Sequence, residues 1–259
     1  MSGQRRVAIV TGVGAGIGRS TALGLAREGF DVVLAARTAA YLDEVAAEVV
    51  AIGVDALAVP TDTGDVVQCR ALVEAAVARF GRVDVIVSSA AKGTPNHTIM
   101  NSDLADWQMA WQVNVLGPLE IARTAIPYMQ AVGGGSIVMV STLAVRAINP
   151  GQGAYAATKG ALTIAAQTLA KEVGPDGIRV NIVLPGFTPG ASTEPMFARM
   201  AERSGTSPEA AKQKMADQTA LRRLPTPDDL ADAIVFLTSD RARSITGQTL
   251  DVNCGKWMA

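Results

Sequence analysis

Cysteine is scarce in this chain of 259 residues: Cys69 and Cys254 are the only two, far apart and without ligand-like neighbours. That excludes a disulfide framework and argues against a zinc site. Histidine is scarcer still, and the single one, His97, follows the fourth strand-like run, where a lone imidazole reads as solvated. No apolar run approaches ~18 residues, so no membrane span is expected. The first run, Val7 to Val10, is far too short for the core of a signal peptide. An excess of either charge is also missing. The 23 basic and 24 acidic residues are spread evenly and leave a net charge of −1, which offers no footprint for nucleic acid or a membrane surface. The expectation is a soluble, cytoplasmic protein.

What is present is apolar and alternating. With 49% hydrophobic residues the chain can bury a large core, and α/β chains of this length are commonly one domain. Strand-like runs cover Arg6 to Thr11, Asp31 to Ala36, Ala56 to Pro60, Val83 to Ser88, Ser136 to Ser141, Ile178 to Leu184 and Thr249 to Val252. Ala-rich helical periods lie between them. Several runs are apolar at nearly every position, which suits a parallel sheet covered on both faces. The alternation predicts a single-domain, Rossmann-like α/β fold: a doubly wound parallel sheet of about seven strands with helices on both faces. One stretch, 186–226, has no strand-like run and mixes Pro, Ser, Thr and Gly with a helical pattern carrying Met and Ala. It reads as a helical lid inserted beyond a strand's carboxyl end, where it would cover a site.

Two patterns bear on chemistry. Thr11-Gly-Val-Gly-Ala-Gly-Ile-Gly18 joins the first strand to a helix, the order in which glycines let a backbone approach a pyrophosphate at a helix N-terminus. Tyr155-Ala-Ala-Thr-Lys159 places a phenol and an ammonium on one helix face, and between Ala147 and Ala170 there is no other charge. A helix that uncharged is covered on most sides. On these residues alone the pair is either a structural oddity or a working part. A phenol near pKa ~10 is a poor base at neutrality, and bringing it to ~7 takes ~4 kcal/mol, about what one cation supplies at ~4 Å.

The spacing Gly12-x-x-x-Gly16-x-Gly18, followed by Asp62 after the third strand, Asn114 in a central helix, Ser141-Thr142, Tyr155-x-x-x-Lys159 and Pro185-Gly186, resembles the short-chain dehydrogenase/reductase family. The resemblance runs the length of the chain, to Arg223-Leu-Pro-Thr-Pro-Asp-Asp229 and Ile245-Thr-Gly-Gln248. It implies an oxidoreductase that interconverts a small carbonyl compound and a secondary alcohol using a nicotinamide dinucleotide. Tyr155 would be the general acid/base. Lys159 would lower its pKa and bind the nicotinamide ribose, and Asn114 would hold a water that feeds protons to Lys159. Thr142 stands thirteen residues before Tyr155, where the family has its catalytic hydroxyl. Ser141 is the alternative, and strand alternation lets only one of the two face the site unless the strand has already ended.

Cofactor contacts are expected from Gly12, Gly14, Ala15, Gly16, Ile17 and Gly18 in the turn, from Asp62 and Thr63, and from Ser89 and Ala90. Tyr155, Lys159, Pro185, Gly186 and Thr188 complete the set, and no metal is expected. After the second strand stands Arg37, not an acid. A guanidinium offers a 2′-phosphate a charge-assisted fork, which favours NADP(H), with NAD(H) the alternative. Ala15 stands where some phosphate-preferring members carry a second basic residue. Ser88-Ser-Ala-Ala91 replaces the family's usual Asn-Asn-Ala-Gly, which leaves room for a catalytically silent nucleotide-binding scaffold. The uncharged faces of the Tyr155–Lys159 helix and of the Ala-rich helix around Asn114 to Met129 suggest a homotetramer or homodimer, while Trp107 and Trp111 read as a core or subunit-facing stripe.

Overall fold

A computed structural model describes residues 4–190 and 193–258. The first half alternates β1 (Val7–Thr11), α1 (Ile17–Arg27), β2 (Asp31–Ala36), α2 (Ala39–Ile52), β3 (Ala56–Pro60), α3 (Val66–Phe80) and β4 (Val85–Ser88). Then come α4 (Leu104–Trp111), α5 (Gly117–Ala131), β5 (Gly135–Val140), α6 (Gly153–Val173) and β6 (Ile178–Pro185). The chain closes with α7 (Glu194–Ser204), α8 (Pro208–Ala216), α9 (Pro227–Thr238) and β7 (Thr249–Val252).

The strands form one seven-stranded sheet in the order β3-β2-β1-β4-β5-β6-β7, and every neighbouring pair is parallel. The order reverses between β1 and β4, where the connections leave on opposite faces and a crevice opens beyond the strands' carboxyl ends. The expected doubly wound α/β architecture is present, and the observed strands differ from the sequence reading by at most two residues at an end. β5 differs in a way that matters, because it stops at Val140, ahead of Ser141.

Alternation along the strands builds two cores. Val7 and Ile9 of β1 face a layer holding Leu72 and Val73 of α3, Ile121 and Met129 of α5, and Leu162 and Ala166 of α6. Ala8 and Val10 face Leu25 of α1, Leu42 and Val49 of α2, and Leu230 and Ile234 of α9. Each fully buried Leu or Ile contributes ~1.5–3 kcal/mol, so truncating one, such as Leu72→Ala, costs ~2–5 kcal/mol.

Local signals set the helix limits. Asp65 starts α3 by accepting from the Val67 and Gln68 N–H groups, and Gly81 ends it in the left-handed conformation. Thr226 and Asp229 form a reciprocal capping box at the start of α9. Between α4 and α5 the residues Gln112–Leu116 form one π-helical turn, which carries Asn114. Helices α7 and α8 occupy the stretch between β6 and α9, although residues 191 and 192 of it lie outside the described ones. Among the described residues no helix is long and apolar enough to cross a membrane.

Candidate active site

Beyond the carboxyl ends of β1, β4, β5 and β6 lies a cleft of roughly 550 Å³. It gathers the glycine turn, Ser89, Ala90, Thr142, Tyr155, Lys159, Pro185, Gly186 and Thr188 along its walls. Residues scattered over 177 positions of sequence, from Gly12 to Thr188, therefore share one surface.

The glycine turn forms one end. Gly12 adopts φ +70°, and a Cβ there would stand 2.5 Å from the Ala90 nitrogen, so β1's exit packs backbone to backbone on the end of β4. Gly14 and Gly16 differ: a Cβ on either would meet nothing within 4 Å. Both line the cleft, so their missing side chains leave room for a ligand. Helix α1 begins directly behind them, with no acidic residue in its first turn and, among the described residues, no side chain capping it. Free N–H groups, the positive end of the helix dipole and an open glycine face together fit a pyrophosphate.

The other end is built where β5 meets α6. Just past the strand's end Thr142 is still extended, and the two neighbouring hydroxyls turn to different partners. Ser141 is 3% exposed; its hydroxyl donates to the Lys159 carbonyl at 3.2 Å and accepts from Thr163 at 3.0 Å. Thr142 opens a short 3-10 turn, where its Oγ1 accepts from the Ala144 N–H at 3.2 Å. It also faces Tyr155. Burial pushes the Tyr155 phenol above its ordinary value, and the Thr142 hydroxyl pulls it back part of the way.

Lys159 is 1% exposed. Its Nζ donates to the Val140 carbonyl at 2.8 Å, the last residue of β5, and burial brings its pKa down to about 8. One residue earlier on α6, Thr158 accepts from the Asn114 amide at 3.0 Å. That amide is fully buried and clamps Lys92 from both sides: the Lys92 N–H donates to Asn114 Oδ1 at 2.7 Å, and Asn114 Nδ2 donates to the Lys92 carbonyl at 3.0 Å. The π-helical turn points that side chain inward, a geometry frequent at functional sites.

Four expected residues stand outside the cleft wall. Asn114 sits behind it, as just described. Arg37 is exposed past the end of β2 and forms no ion pair with any described residue. Asp62 accepts from the Gly64 N–H at 2.8 Å, and Thr63 is buried beside it. Conversely, the cleft includes side chains that sequence reasoning did not single out: Leu143, Gln152, Phe187, Thr193 and Pro227. For Gln152 the signal was its glycine neighbours, Gly151 and Gly153; for Phe187, its place directly after Pro185-Gly186.

Comparisons with known proteins complete the picture. Residues 12–256 match the family model described as "Enoyl-(Acyl carrier protein) reductase". A 3-oxoacyl-[acyl-carrier-protein] reductase of Staphylococcus aureus is 33% identical over 252 residues, 97% of this chain and 98% of that one. An L-sorbose reductase from Gluconobacter frateurii, solved with NADPH and L-sorbose, superposes with a TM-score of 0.94 at 32% identity, covering 99% of this chain and 98% of the other. A 7α-hydroxysteroid dehydrogenase, solved with NADH and 7-oxo glycochenodeoxycholic acid, gives 0.86 at 32% identity over 96% and 93%. Matched along nearly its whole length, the chain belongs to the short-chain dehydrogenase/reductase family and is an oxidoreductase acting on CH–OH or carbonyl groups with a nicotinamide dinucleotide.

Proposed function

We propose that the protein interconverts a ketone and a secondary alcohol with NADP(H), using Tyr155 as general acid/base. The observation that carries this reading is the meeting of Thr142, Tyr155 and Lys159 on one cleft wall opposite an open glycine cradle. Bound in that cradle, the cofactor would supply or accept the hydride. Everything else falls to the chain's own side chains.

Tyr155 gives its phenolic proton to the carbonyl oxygen in reduction and takes it back in oxidation. Thr142 helps from the side: with a lone pair held by the Ala144 N–H, its hydroxyl hydrogen is free to point at the substrate oxygen. Lys159 stays largely protonated at neutrality with a pKa of about 8. Of its three donors one is held by Val140, which leaves two for a ribose hydroxyl and for lowering the phenol's pKa. Asn114 is assigned the water through which Lys159 exchanges protons with solvent.

Arg37 supports the phosphorylated cofactor, since it is a cation that pairs with no described residue and stands where an acid would repel a 2′-phosphate. Asp62 and Thr63 are assigned to the adenine end. Helices α7 and α8 act as the substrate lid, and a homotetramer forms through apolar side chains left in water, such as Met109, Trp111 and Ile164. The deciding experiment is a turnover screen of ketones with NADPH and alcohols with NADP⁺, each repeated with the non-phosphorylated cofactor. Turnover that prefers NADPH and collapses in Tyr155→Phe supports the reading; turnover that ignores that substitution removes Tyr155 from its role. Light scattering at micromolar concentration tests the assembly.

A further inference from the structure

Among the polar side chains of the cleft wall that the mechanism above does not use is Gln152. It is the N-cap residue of α6, three positions before Tyr155, and the two residues line the same cleft. Gln152 lines the cleft, and its carboxamide makes no hydrogen bond to any described residue. Nor does it cap its own helix.

The backbone around it is built to hold it there. Gly151 has φ +88°, a conformation side chains rarely adopt, and the place of its missing Cβ is taken by the Asn96 side chain. At Gly153 a Cβ would stand 2.9 Å from Ile99 Cγ1. The loop after β4 thus grips the chain on both sides of Gln152 and leaves that residue facing the cleft.

Charge completes the argument. Among the described residues, Lys159 is the only charged side chain on the cleft wall, and Val140 already holds it. A substrate carboxylate or phosphate near the reacting carbon would find no free cation. A carboxamide both donates and accepts, which suits a neutral oxygen.

We propose that Gln152 determines specificity by hydrogen-bonding a neutral oxygen, a hydroxyl or an ester-type carbonyl, borne one or two carbons from the reacting carbonyl. This rests on the ketone-reductase reading above. The short separation follows from Gln152 standing three positions before Tyr155 on the same cleft.

The test compares kcat/KM of the wild type and Gln152→Leu for hydroxyacetone, ethyl acetoacetate, free acetoacetate and 2-pentanone, with NADPH. The wild type is expected to prefer hydroxyacetone and ethyl acetoacetate over 2-pentanone by about tenfold or more, the worth of one good hydrogen bond, and to discriminate against free acetoacetate. Gln152→Leu should bring those ratios toward one while thermal melting shows a folded protein. Gln152→Glu, equal in size but unable to donate, should keep hydroxyacetone and lose ethyl acetoacetate. Ratios that neither variant moves, or a wild type that favours acetoacetate, overturn the assignment and leave the reductase reading standing. A wild type that reduces none of the four ketones with NADPH or NADH rejects that reading, and the assignment with it.

Discussion

The Lys159 ammonium is tied to the Val140 carbonyl at 2.8 Å, so the one cation that the described residues place on the cleft wall is anchored to the end of the strand that presents Ser141 and Thr142. An ion buried to 1% exposure disfavours its own charge, and burial accordingly brings its pKa from 10.5 down to about 8. The protein keeps a destabilising group at its site, a pattern common where stability and activity compete.

Lys159→Met should therefore stabilise the fold at pH 7 while abolishing turnover. A shift of that size corresponds to ~3 kcal/mol, and losing the bond to Val140 returns ~1 kcal/mol, for a net gain of ~1–2 kcal/mol. The sign follows from proton uptake: between pH 8 and 10.5 the unfolded lysine binds more protons than the folded one, so the wild type gains stability as pH rises through that window. The advantage of the variant is full below pH 8 and gone above 10.5. Urea melts at pH 7 and near pH 10 read both.

Ser141→Ala and Thr142→Ala should separate two adjacent hydroxyls. Removing the Thr142 donor is expected to lower kcat by ~10²-fold or more with little change in melting. Ser141→Ala instead loses the buried bond to the Lys159 carbonyl and the part-buried one from Thr163, costing ~1–2 kcal/mol of stability with a smaller effect on kcat. Equal kcat losses in the two variants would contradict the division.

The glycine turn offers a similar contrast. Gly12→Ala forces a Cβ into the Ala90 backbone at a left-handed φ, so the fold itself should weaken by ~2 kcal/mol or more. Gly16→Ala meets no protein atom; its ligand-free melting should stay close to wild type while the dissociation constant for NADPH rises about tenfold. Calorimetric melting and fluorescence titration of the cofactor distinguish them.

Replacing Arg37 with Glu should invert cofactor preference. The fork for a 2′-phosphate becomes a repelling carboxylate that accepts from ribose hydroxyls. A fall of about a hundredfold in kcat/KM for NADPH, with NADH improved, is the expected outcome; unchanged selectivity would place the discriminating residue elsewhere.

Asp229 should link stability to acid. Arg223 and the Thr226 backbone hold its pKa at about 2, below the ordinary 3.8. The stability it contributes is fully present above 3.8 and is lost as pH falls through about 2. Because both partners are partly solvated, Asp229→Asn should cost only ~1 kcal/mol at pH 7, and the difference from wild type should vanish near pH 2. Urea melts across that range measure it.

Much of the fold is legible because strands and helices are local. Nearly continuous apolar runs marked β4 and β5, and Asp65 and Gly81 bracket α3 with signals from adjacent residues. The candidate site was legible where a motif is compact, as in the glycine turn and the Tyr155–Lys159 pair. Gln152 escaped notice because its meaning depends on Asn96 and Ile99, more than fifty positions away. Phe187 and Thr193 gave no periodic signal, since they lie where the chain leaves β6.

The sequence by itself determined which segments become strands, that they lie parallel, and that a glycine turn meets a helix N-terminus. Those follow from side-chain periodicity and backbone sterics over a few residues. Only the tertiary structure decided that β4 lies beside β1, that Ser141 bonds to α6 while Thr142 faces the phenol, and that Val140 takes the Lys159 ammonium. Each depends on contacts between segments far apart in the chain, and their relative positions are set by packing the whole sheet and its two helical layers.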